Sequence, residues 1–178
     1  MRRATLEVCQ EIIELLQQSA KWLQQCGVTQ WPPDWLLSQV PLVCEQIKLG
    51  WVWTARQQGN SQKIIGIVTI REHAEEYWGT VREPTLFLQK LARHRDPVYA
   101  GVGKKMLLWL EHEACRRHCQ WLRLECLESN TALHRYYEMH GFARTGHVTD
   151  HGTPLLLYQK RVSGVFSSSF GLLTGLPG

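Results

Sequence analysis

The sequence predicts a single α/β (α+β) domain, built on a mixed β-sheet with helices on both faces. The length of 178 residues suits one well-packed domain. Apolar residues recur at helical spacing in some segments and at strand spacing in others, in the order helix, helix, three strands, helix, strand, helix, two strands. Strand–helix–strand order predicts parallel neighbours in the middle of the sheet, whereas hairpins predict antiparallel pairs at its edges.

Two helices are predicted to open the chain. Apolar residues at positions 6–23 recur in alternating steps of three and four, the stripe of an amphipathic helix that Gly27 would end. Two consecutive prolines then enforce a turn. Asp34 can cap a second helix, which we expect to run without interruption to about Gly50.

The remaining elements alternate between strands and helices. Runs of β-branched and aromatic residues predict the strands, and apolar faces predict the helices. Strands are expected at 51–55, 64–70, 84–91, 120–126, 142–148 and 153–160, and helices at 102–114 and 130–141. The domain then covers residues 1–162, and the aperiodic, Ser- and Gly-rich segment 163–178 is predicted to be a flexible tail.

Composition and charge exclude several classes of function. A net charge of +4 suits an anionic ligand, but the basic residues form no stripe that predicts nucleic-acid binding. No apolar stretch approaches membrane-spanning length, and the amino end does not resemble a secretory signal. Six cysteines without CxxC spacing predict free thiols and a cytoplasmic protein. The sequence leaves a homodimer open.

A glycine pair precedes the helix at 102–114. The first amides of a helix have no partner inside it, and with the helix dipole they form a site for phosphate. Gly101 and Gly103 let the backbone approach such a ligand closely, and Lys104 and Lys105 add positive charge. Neither the dinucleotide fingerprint nor the P-loop ending is present. The alternative interpretation is a plain structural turn.

A second group of polar residues follows the strand at 120–126. Asn130 supplies a side-chain amide at the strand end, and Tyr136 or Tyr137 supplies a phenol that can donate a proton. The alternative is structural, with Asn130 capping a helix and one tyrosine packing in the core.

Together the two groups resemble the GNAT superfamily of acetyl-CoA-dependent N-acetyltransferases. The likeness covers residues 19–161 and is strongest from 86 to 142. The family's phosphate loop reads Arg or Gln, two residues, Gly, one residue, then Gly or Ala, and the stretch 98–103 matches it except at Val98. The spacing from Asn130 to Tyr137, followed by Gly141 and Phe142, also matches.

The resemblance implies a sheet that is splayed at its centre, with the pantetheine arm of acetyl-CoA filling the gap like an added strand. Acetyl-CoA is then the cosubstrate, and the acceptor is a small-molecule or peptide amine. The residues implied in cofactor binding are Leu91, Ala92 and Arg93 for pantetheine, Asn130 for the same arm, and Gly101, Val102, Gly103 and Lys104 for the pyrophosphate.

The resemblance also implies catalytic roles. Tyr137 would protonate the departing thiolate after direct attack by the amine, and an amide near Leu91 would hold the oxyanion. A base must take a proton from the amine. Glu125 is the first candidate because it ends a central strand beside the cleft, and Glu72 and His73 are alternatives.

Three alternative interpretations of the sequence are a metal site, a binding module without catalysis and a nucleotide-binding protein. His112, Cys115 and Cys119 share a helical neighbourhood, but structural zinc sites draw ligands from separate elements, so no metal is expected. The main alternative is a non-catalytic acyl-CoA-binding sensor or interaction module, since a fold does not guarantee activity. A nucleotide-binding α/β protein is the third.

Overall fold

The computed structural model describes residues 1–59, 62–73 and 75–163. The strands are β1 (Arg2–Arg3), β2 (Val52–Arg56), β3 (Ile64–Arg71), β4 (Thr85–Arg93), β5 (Trp121–Leu127), β6 (Ala143–Asp150) and β7 (Thr153–Arg161). The helices are α1 (Cys9–Gln25), α2 (Pro33–Ser38), α3 (Val40–Lys48), α4 (Glu75–Trp78), α5 (Val102–Arg116) and α6 (Thr131–Met139). No helix in these ranges is both long and apolar enough to cross a membrane.

The strands form one open sheet in the order β1-β2-β3-β4-β5-β7-β6. Only β4 and β5 pair in parallel among the described strands, and the other neighbours are antiparallel. The predicted mixed sheet is confirmed, with each of the six expected strands in place. The sequence signal missed β1, because two residues are too few to show a period.

Helix α5 packs on one face of the sheet, together with α6. Its apolar side chains meet those of β3, β4 and β5, and the centre of this core is Val68, Ile70, Leu86, Leu88, Met106, Leu107, Leu110, Leu122 and Leu124. A Cβ at Gly66 would lie 2.5 Å from Met106 Sδ, so the helix rests directly on the backbone of β3. We call this the α5 face.

Lys160 of β7 connects the two helices of the α5 face. Its Nζ donates to Glu111 Oε1 of α5 at 2.6 Å and to the carbonyl of His140 at 2.8 Å. His140 is the C-cap of α6, the residue directly after its last turn. One ammonium group therefore joins β7 to α5 and to the end of α6.

Helices α1, α2 and α3 cover part of the opposite face. Ile67 belongs to their core and its neighbour Val68 to the other, so the two cores lie on opposite sides of the sheet. This core contains Ile12, Ile13, Leu15, Leu16, Leu36, Val43, Ile47, Val52 and Ile64. Helix α1 follows the predicted stripe, and Gly27 adopts the expected left-handed conformation at φ +76°. We call this side the second face.

The prediction of one uninterrupted second helix is wrong. The chain forms α2 and α3 instead, and α3 begins at Val40 with Pro41 in its first turn. Proline lacks an N–H and its ring clashes with the carbonyl four residues earlier, so the helix cannot continue through this point. The side chain of Asp34, and with it the predicted cap, lies outside the described residues.

Two further differences concern segments without a regular pattern. The polar stretch after β3 contains the short helix α4, which its composition did not indicate. The predicted tail, apart from Ser163, lies outside the described residues.

Candidate active site

Strands β4 and β5 separate partway along their length. Their parallel pairing runs from Thr85 and Trp121 to Leu88 and Leu124, but β4 continues to Arg93 and β5 continues to Leu127. Backbone groups on the facing edges are therefore free of a strand partner over the second half of the pair. The predicted splay at the sheet centre is present.

A bulge in β4 marks the point of separation. Ile67 of β3 is registered with Ala92 and Thr69 with Gln89, so Lys90 and Leu91 together stand opposite one residue of β3. Lys90 has φ +50°, a left-handed conformation that is uncommon for a residue with a side chain. Bulges bend the strand that contains them, which accounts for the divergence of β4 from β5.

Beyond the bulge, one edge of β4 faces the gap. The N–H of His94 donates to the carbonyl of Ile65 at 2.8 Å, and alternation along an antiparallel ladder then directs the main chain of Ala92 toward β3. Leu91 and Arg93 direct their main-chain groups to the gap. The carbonyl of Arg93 is 3.5 Å from Ser19 Oγ of α1, a long contact that another donor can replace.

The amino end of α5 lies next to this gap in the chain. Gly101 is its N-cap at φ +83°, and no heavy atom lies within 4 Å of where its Cβ would be. The first amides of α5, those of Val102, Gly103 and Lys104, have no partner within the helix. Val98, where the family pattern has Arg or Gln, is 74% exposed. The loop is thus open to an anion that binds main-chain N–H groups.

Asn130 is buried and caps α6. Its Oδ1 accepts from the N–H of Leu133 at 3.1 Å, and its Nδ2 is 3.5 Å from Gln30 Oε1 in the loop after α1. The structural interpretation of Asn130 is therefore confirmed. Contact with pantetheine stays a prediction, and it would require the weak bond to Gln30 to be exchanged for one to the ligand.

Tyr137 projects from α6 into the α5-face core. Its ring lies 5.5 Å from Phe142 and 6.3 Å from Tyr158, measured between centroids. Burial raises the pKa of its phenol far above the ordinary value, and negative charge at Cys126 acts in the same direction. The phenol therefore keeps its proton at neutral pH and can act as a donor.

Tyr136 is a second phenol close to the loop. A Cβ at Gly103 would lie 2.7 Å from Tyr136 Oη, and this oxygen is buried without a hydrogen-bond partner in the described residues. Burial raises the pKa of Tyr136, and the charge of Arg93 opposes the shift. The sequence offered both tyrosines, but periodicity alone could not tell which one faces the sheet.

Glu125 lies on the second face, at the level of the gap. Its neighbours Leu124 and Cys126 belong to the α5-face core, so its own side chain points the other way. Gln89 Nε2 of β4 donates to Glu125 Oε1 at 3.2 Å, and Oε2 is buried without a partner in the described residues. Burial raises the pKa of Glu125 to about 7, against the weaker effect of Gln89.

Helix α4 forms one wall beside Glu125. The indole of Trp78 packs against Phe87 with centroids 6.1 Å apart, and the guanidinium of Arg123 lies 5.1 Å from the same indole. Trp78 Nε1 is buried without a hydrogen-bond partner in the described part of the chain. The sequence did not identify Gln89, because it belongs to no motif.

The structure places the other candidate bases elsewhere. Glu72 Oε1 accepts from Arg117 Nη1 at 2.9 Å, just after the carboxyl end of α5. His73 lines a cavity of about 320 Å³ together with Arg117 and Arg3. Arg71 lines the same cavity, but the hydrogen bond and ion pair of Glu72 go to Arg117, whereas the carboxylate of Glu125 is bound by Gln89.

The described residues contain no group of three or more His, Cys, Asp or Glu side chains placed to hold a metal ion. Cys115 is half-buried and Cys119 is buried, both as free thiols, and His112 is exposed.

Comparison with known proteins gives one consistent result. The model of the acetyltransferase (GNAT) family matches residues 16–142. The chain is 25% identical over 148 residues to the uncharacterized N-acetyltransferase YesJ of Bacillus subtilis, with 80% of this chain and 81% of that protein covered.

Two solved structures illustrate the likeness of the fold. A GNAT-family acetyltransferase from Listeria monocytogenes superposes with a TM-score of 0.72 and 26% identity, over 90% of this chain and 92% of the other. The PaiA N-acetyltransferase from Thermoplasma acidophilum, solved in complex with coenzyme A, superposes with a TM-score of 0.66 and 17% identity, over 90% of this chain and 96% of the other. With the family model matching most of the chain, the protein belongs to the GNAT acetyltransferase family.

Proposed function

We propose that this protein transfers an acetyl group from acetyl-CoA to a primary amine of a small molecule or peptide. The observation that carries the proposal is the gap between β4 and β5, which opens beside the glycine-capped amino end of α5. A thioester carrier with an amide-bearing arm and a pyrophosphate suits these two features. The coenzyme A complex of the Thermoplasma acidophilum relative supports this assignment.

In this proposal the pantetheine arm lies along the gap edge of β4. Its amides exchange main-chain hydrogen bonds with Leu91 and Arg93, as an added strand would. The pyrophosphate receives the N–H groups of Val102, Gly103 and Lys104, with positive charge from Lys104 and Lys105. Because these donors belong to the main chain, the absence of Arg or Gln at Val98 leaves the anion site in place.

The acceptor approaches from the second face. An alkylammonium must lose a proton before it can attack, and Glu125 is the proposed base, because its Oε2 has no hydrogen-bond partner within the described residues and could take the proton directly or through one water. A base with a pKa near the ambient pH is well matched to this task, and the pKa of Glu125 is raised to about 7. The neutral amine then attacks the thioester carbonyl directly, without an acyl-enzyme.

The intermediate collapses with loss of the coenzyme A thiolate. The main-chain N–H of Leu91 is the proposed donor to the oxyanion, because it faces the gap in which the thioester would lie. Tyr137 delivers its proton to the departing sulfur, and the proton that the attacking nitrogen loses as the amide forms returns to the Tyr137 phenolate, directly or through water. The raised pKa of Tyr137 keeps the phenol protonated until the intermediate collapses. In this proposal β4 contributes the oxyanion donor, the N–H of Leu91, and β5 contributes the base, Glu125, from the two sides of the gap.

The experiment compares two adjacent phenols. Tyr137→Phe and Tyr136→Phe each remove one hydroxyl and retain the ring. We expect Tyr137→Phe to lower kcat about 100-fold, the range of a lost general acid, with little change in the Kd for coenzyme A. Tyr136→Phe should lower kcat less than about threefold. Thiol release with an amine panel gives kcat, and isothermal titration gives Kd.

Equal losses of kcat in the two variants, or equal losses of kcat and coenzyme A affinity in Tyr137→Phe, would contradict the assignment of Tyr137. Binding of acetyl-CoA by the wild-type protein without thiol release on any amine would favour the acyl-CoA sensor instead.

A further inference from the structure

Lys90 is the residue of the candidate site whose conformation the fold least explains. Within a strand of ordinary residues it adopts φ +50°, and the bulge places it and Leu91 opposite a single residue of β3. Strained backbone of this kind persists only where the surroundings hold it, and it is concentrated at functional sites. The left-handed conformation of Lys90 also determines the side of the sheet on which its side chain lies.

The bulge turns Lys90 onto the second face. In an unbulged strand Lys90 would share the side of Leu88, whose side chain lies in the α5-face core. Instead Lys90 Nζ is 3.4 Å from Gln46 Oε1 of α3, which lies on the second face. Gln89, Lys90 and Glu125 are thus presented on the same side of the sheet, at the level of the gap.

The ammonium group of Lys90 has no carboxylate partner within 4 Å in the described residues. Burial lowers its pKa, while the negative charge of Glu125 opposes that shift and the positive charge of Arg71 adds to it. Its long bond to Gln46 leaves other donor positions unused, because an ammonium group has three. A half-buried cation without a carboxylate partner favours the binding of an anion beside it.

Arg71 adds a second unfilled donor on the same face. It is registered opposite Phe87 in the row next to Thr69 and Gln89. Its Nη2 pairs with Glu76 Oε1 at 3.0 Å, but its Nε is buried without a hydrogen-bond partner in the described residues. The cleft therefore combines one carboxylate oxygen, on Glu125, with donors on Lys90 and Arg71 that lack acceptors.

From this arrangement we infer that the acceptor is a free amino acid, whose carboxylate is bound by Lys90 while Glu125 receives its amino group. The inference rests on the proposed acetyl transfer and names the acceptor class for the same site. An amino acid carries its ammonium and its carboxylate on the same carbon, and Lys90 follows Gln89, the residue that donates to Glu125, so the two charged groups are presented at neighbouring positions of the second face. A peptide amino terminus or a simple alkylamine offers no carboxylate at that position.

The test uses amino acids paired with the amines that lack only the carboxylate: alanine with ethylamine, phenylalanine with phenethylamine, and lysine with cadaverine. For the wild-type protein and acetyl-CoA we expect kcat/KM to be at least tenfold higher for the amino acid in at least one pair. Lys90→Met should remove that preference, chiefly by raising KM for the amino acid at least tenfold, with kcat/KM for the amine changed less than threefold.

Two further variants separate recognition from folding. Lys90→Arg keeps the charge and should restore at least a third of the wild-type preference. Lys48→Met removes an exposed lysine of α3 and should leave both members of each pair unaffected. Thermal unfolding of each variant with coenzyme A present shows whether the fold is retained.

Preference for the amine in all three pairs, or an equal effect of Lys90→Met on both members, would overturn the inference and leave the proposed acetyl transfer standing. If no amine supports thiol release, the proposed function fails separately. Calorimetric titration of the same pairs into the coenzyme A complex then decides the inference, because an amino acid must still bind, and must bind at least tenfold more weakly to Lys90→Met.

Discussion

The two faces of the sheet differ in how completely they are filled. On the α5 face, side chains from four strands and two helices pack against each other, and α5 lies against the backbone of Gly66. On the second face, α1 and α3 cover β2 to β4, and the floor beside them carries polar side chains with unfilled hydrogen-bond positions. One face therefore holds Tyr137 in a packed core, and the other carries polar side chains whose hydrogen-bond positions are not all filled.

The largest expected effect comes from opening the filled face. Leu110 is fully buried in the α5-face core, and Leu110→Ala should lower the free energy of unfolding by about 2–5 kcal/mol, because it removes packed atoms and leaves a cavity. Leu108 lies two positions before Leu110 on the same helix but is 56% exposed. Leu108→Ala should therefore lower the free energy of unfolding by less than about 0.5 kcal/mol. Urea unfolding measures both, and similar losses would contradict the contrast.

A smaller effect is expected from the one carboxylate buried in α5. Glu113 accepts hydrogen bonds from Arg116 and Arg117 at 2.7–2.9 Å, and these partners lower its pKa from 4.5 to about 2. A lowered folded-state pKa contributes stability above pH 4.5 that is lost as the pH falls toward 2.

Glu113→Gln should therefore lower the free energy of unfolding at pH 7 by on the order of 2 kcal/mol, with the difference shrinking on acidification. Thermal unfolding between about pH 2.5 and about pH 7 measures this difference over most of the transition. Glu45→Gln, on an exposed position of α3, is the control and should show no such pH dependence. A constant difference at all pH values would exclude the ion pairs as its cause.

An effect of similar size and opposite sign is expected on the second face. The pKa of Glu125 is raised from 4.5 to about 7, so the folded state holds its proton more tightly than the unfolded state. Stability contributed by that proton is present below pH 4.5 and is lost as the pH rises through 7. Glu125→Gln should thus be more stable than wild type above pH 7, by on the order of 2 kcal/mol, and equal to it near pH 4.5.

The same substitution should abolish most acetyl transfer, because glutamine cannot accept the proton of the amine. Thermal unfolding across pH and thiol release on the same preparations measure the two effects. Loss of stability above pH 7, or retained activity, would show that Glu125 supports the fold and not the reaction.

The sequence was informative where the physics is local. The stripe of α1, the alternation of β5 and the glycine-led start of α5 each follow from spacing within a few residues. The order of these elements then predicted parallel neighbours in the middle of the sheet, antiparallel pairs at its edges and helices on both faces. Asn130 as a helix cap also follows from local chemistry, since its side chain reaches an amide three residues on.

The rest depends on contacts between distant segments. Nothing near Lys90 in the sequence indicates a bulge, because the extra residue is defined only by the register of β3 against β4. The roles of Gln89 and Trp78 likewise depend on which face a neighbouring strand or helix presents. Pro41 is a local signal in the sequence, and it accounts for the division of the predicted second helix into α2 and α3.

Lys160 connects two parts of the candidate site, the amino end of α5 and the phenol of Tyr137 on α6. Because its ammonium touches both α5 and the end of α6, the distance between the first amides of one helix and the phenol on the other depends on a side chain that meets neither. Loss of that charge would leave every reacting group intact and change only their spacing. The spacing of the candidate site thus depends on a residue of the same face of the sheet that contacts neither the α5 amides nor the phenol.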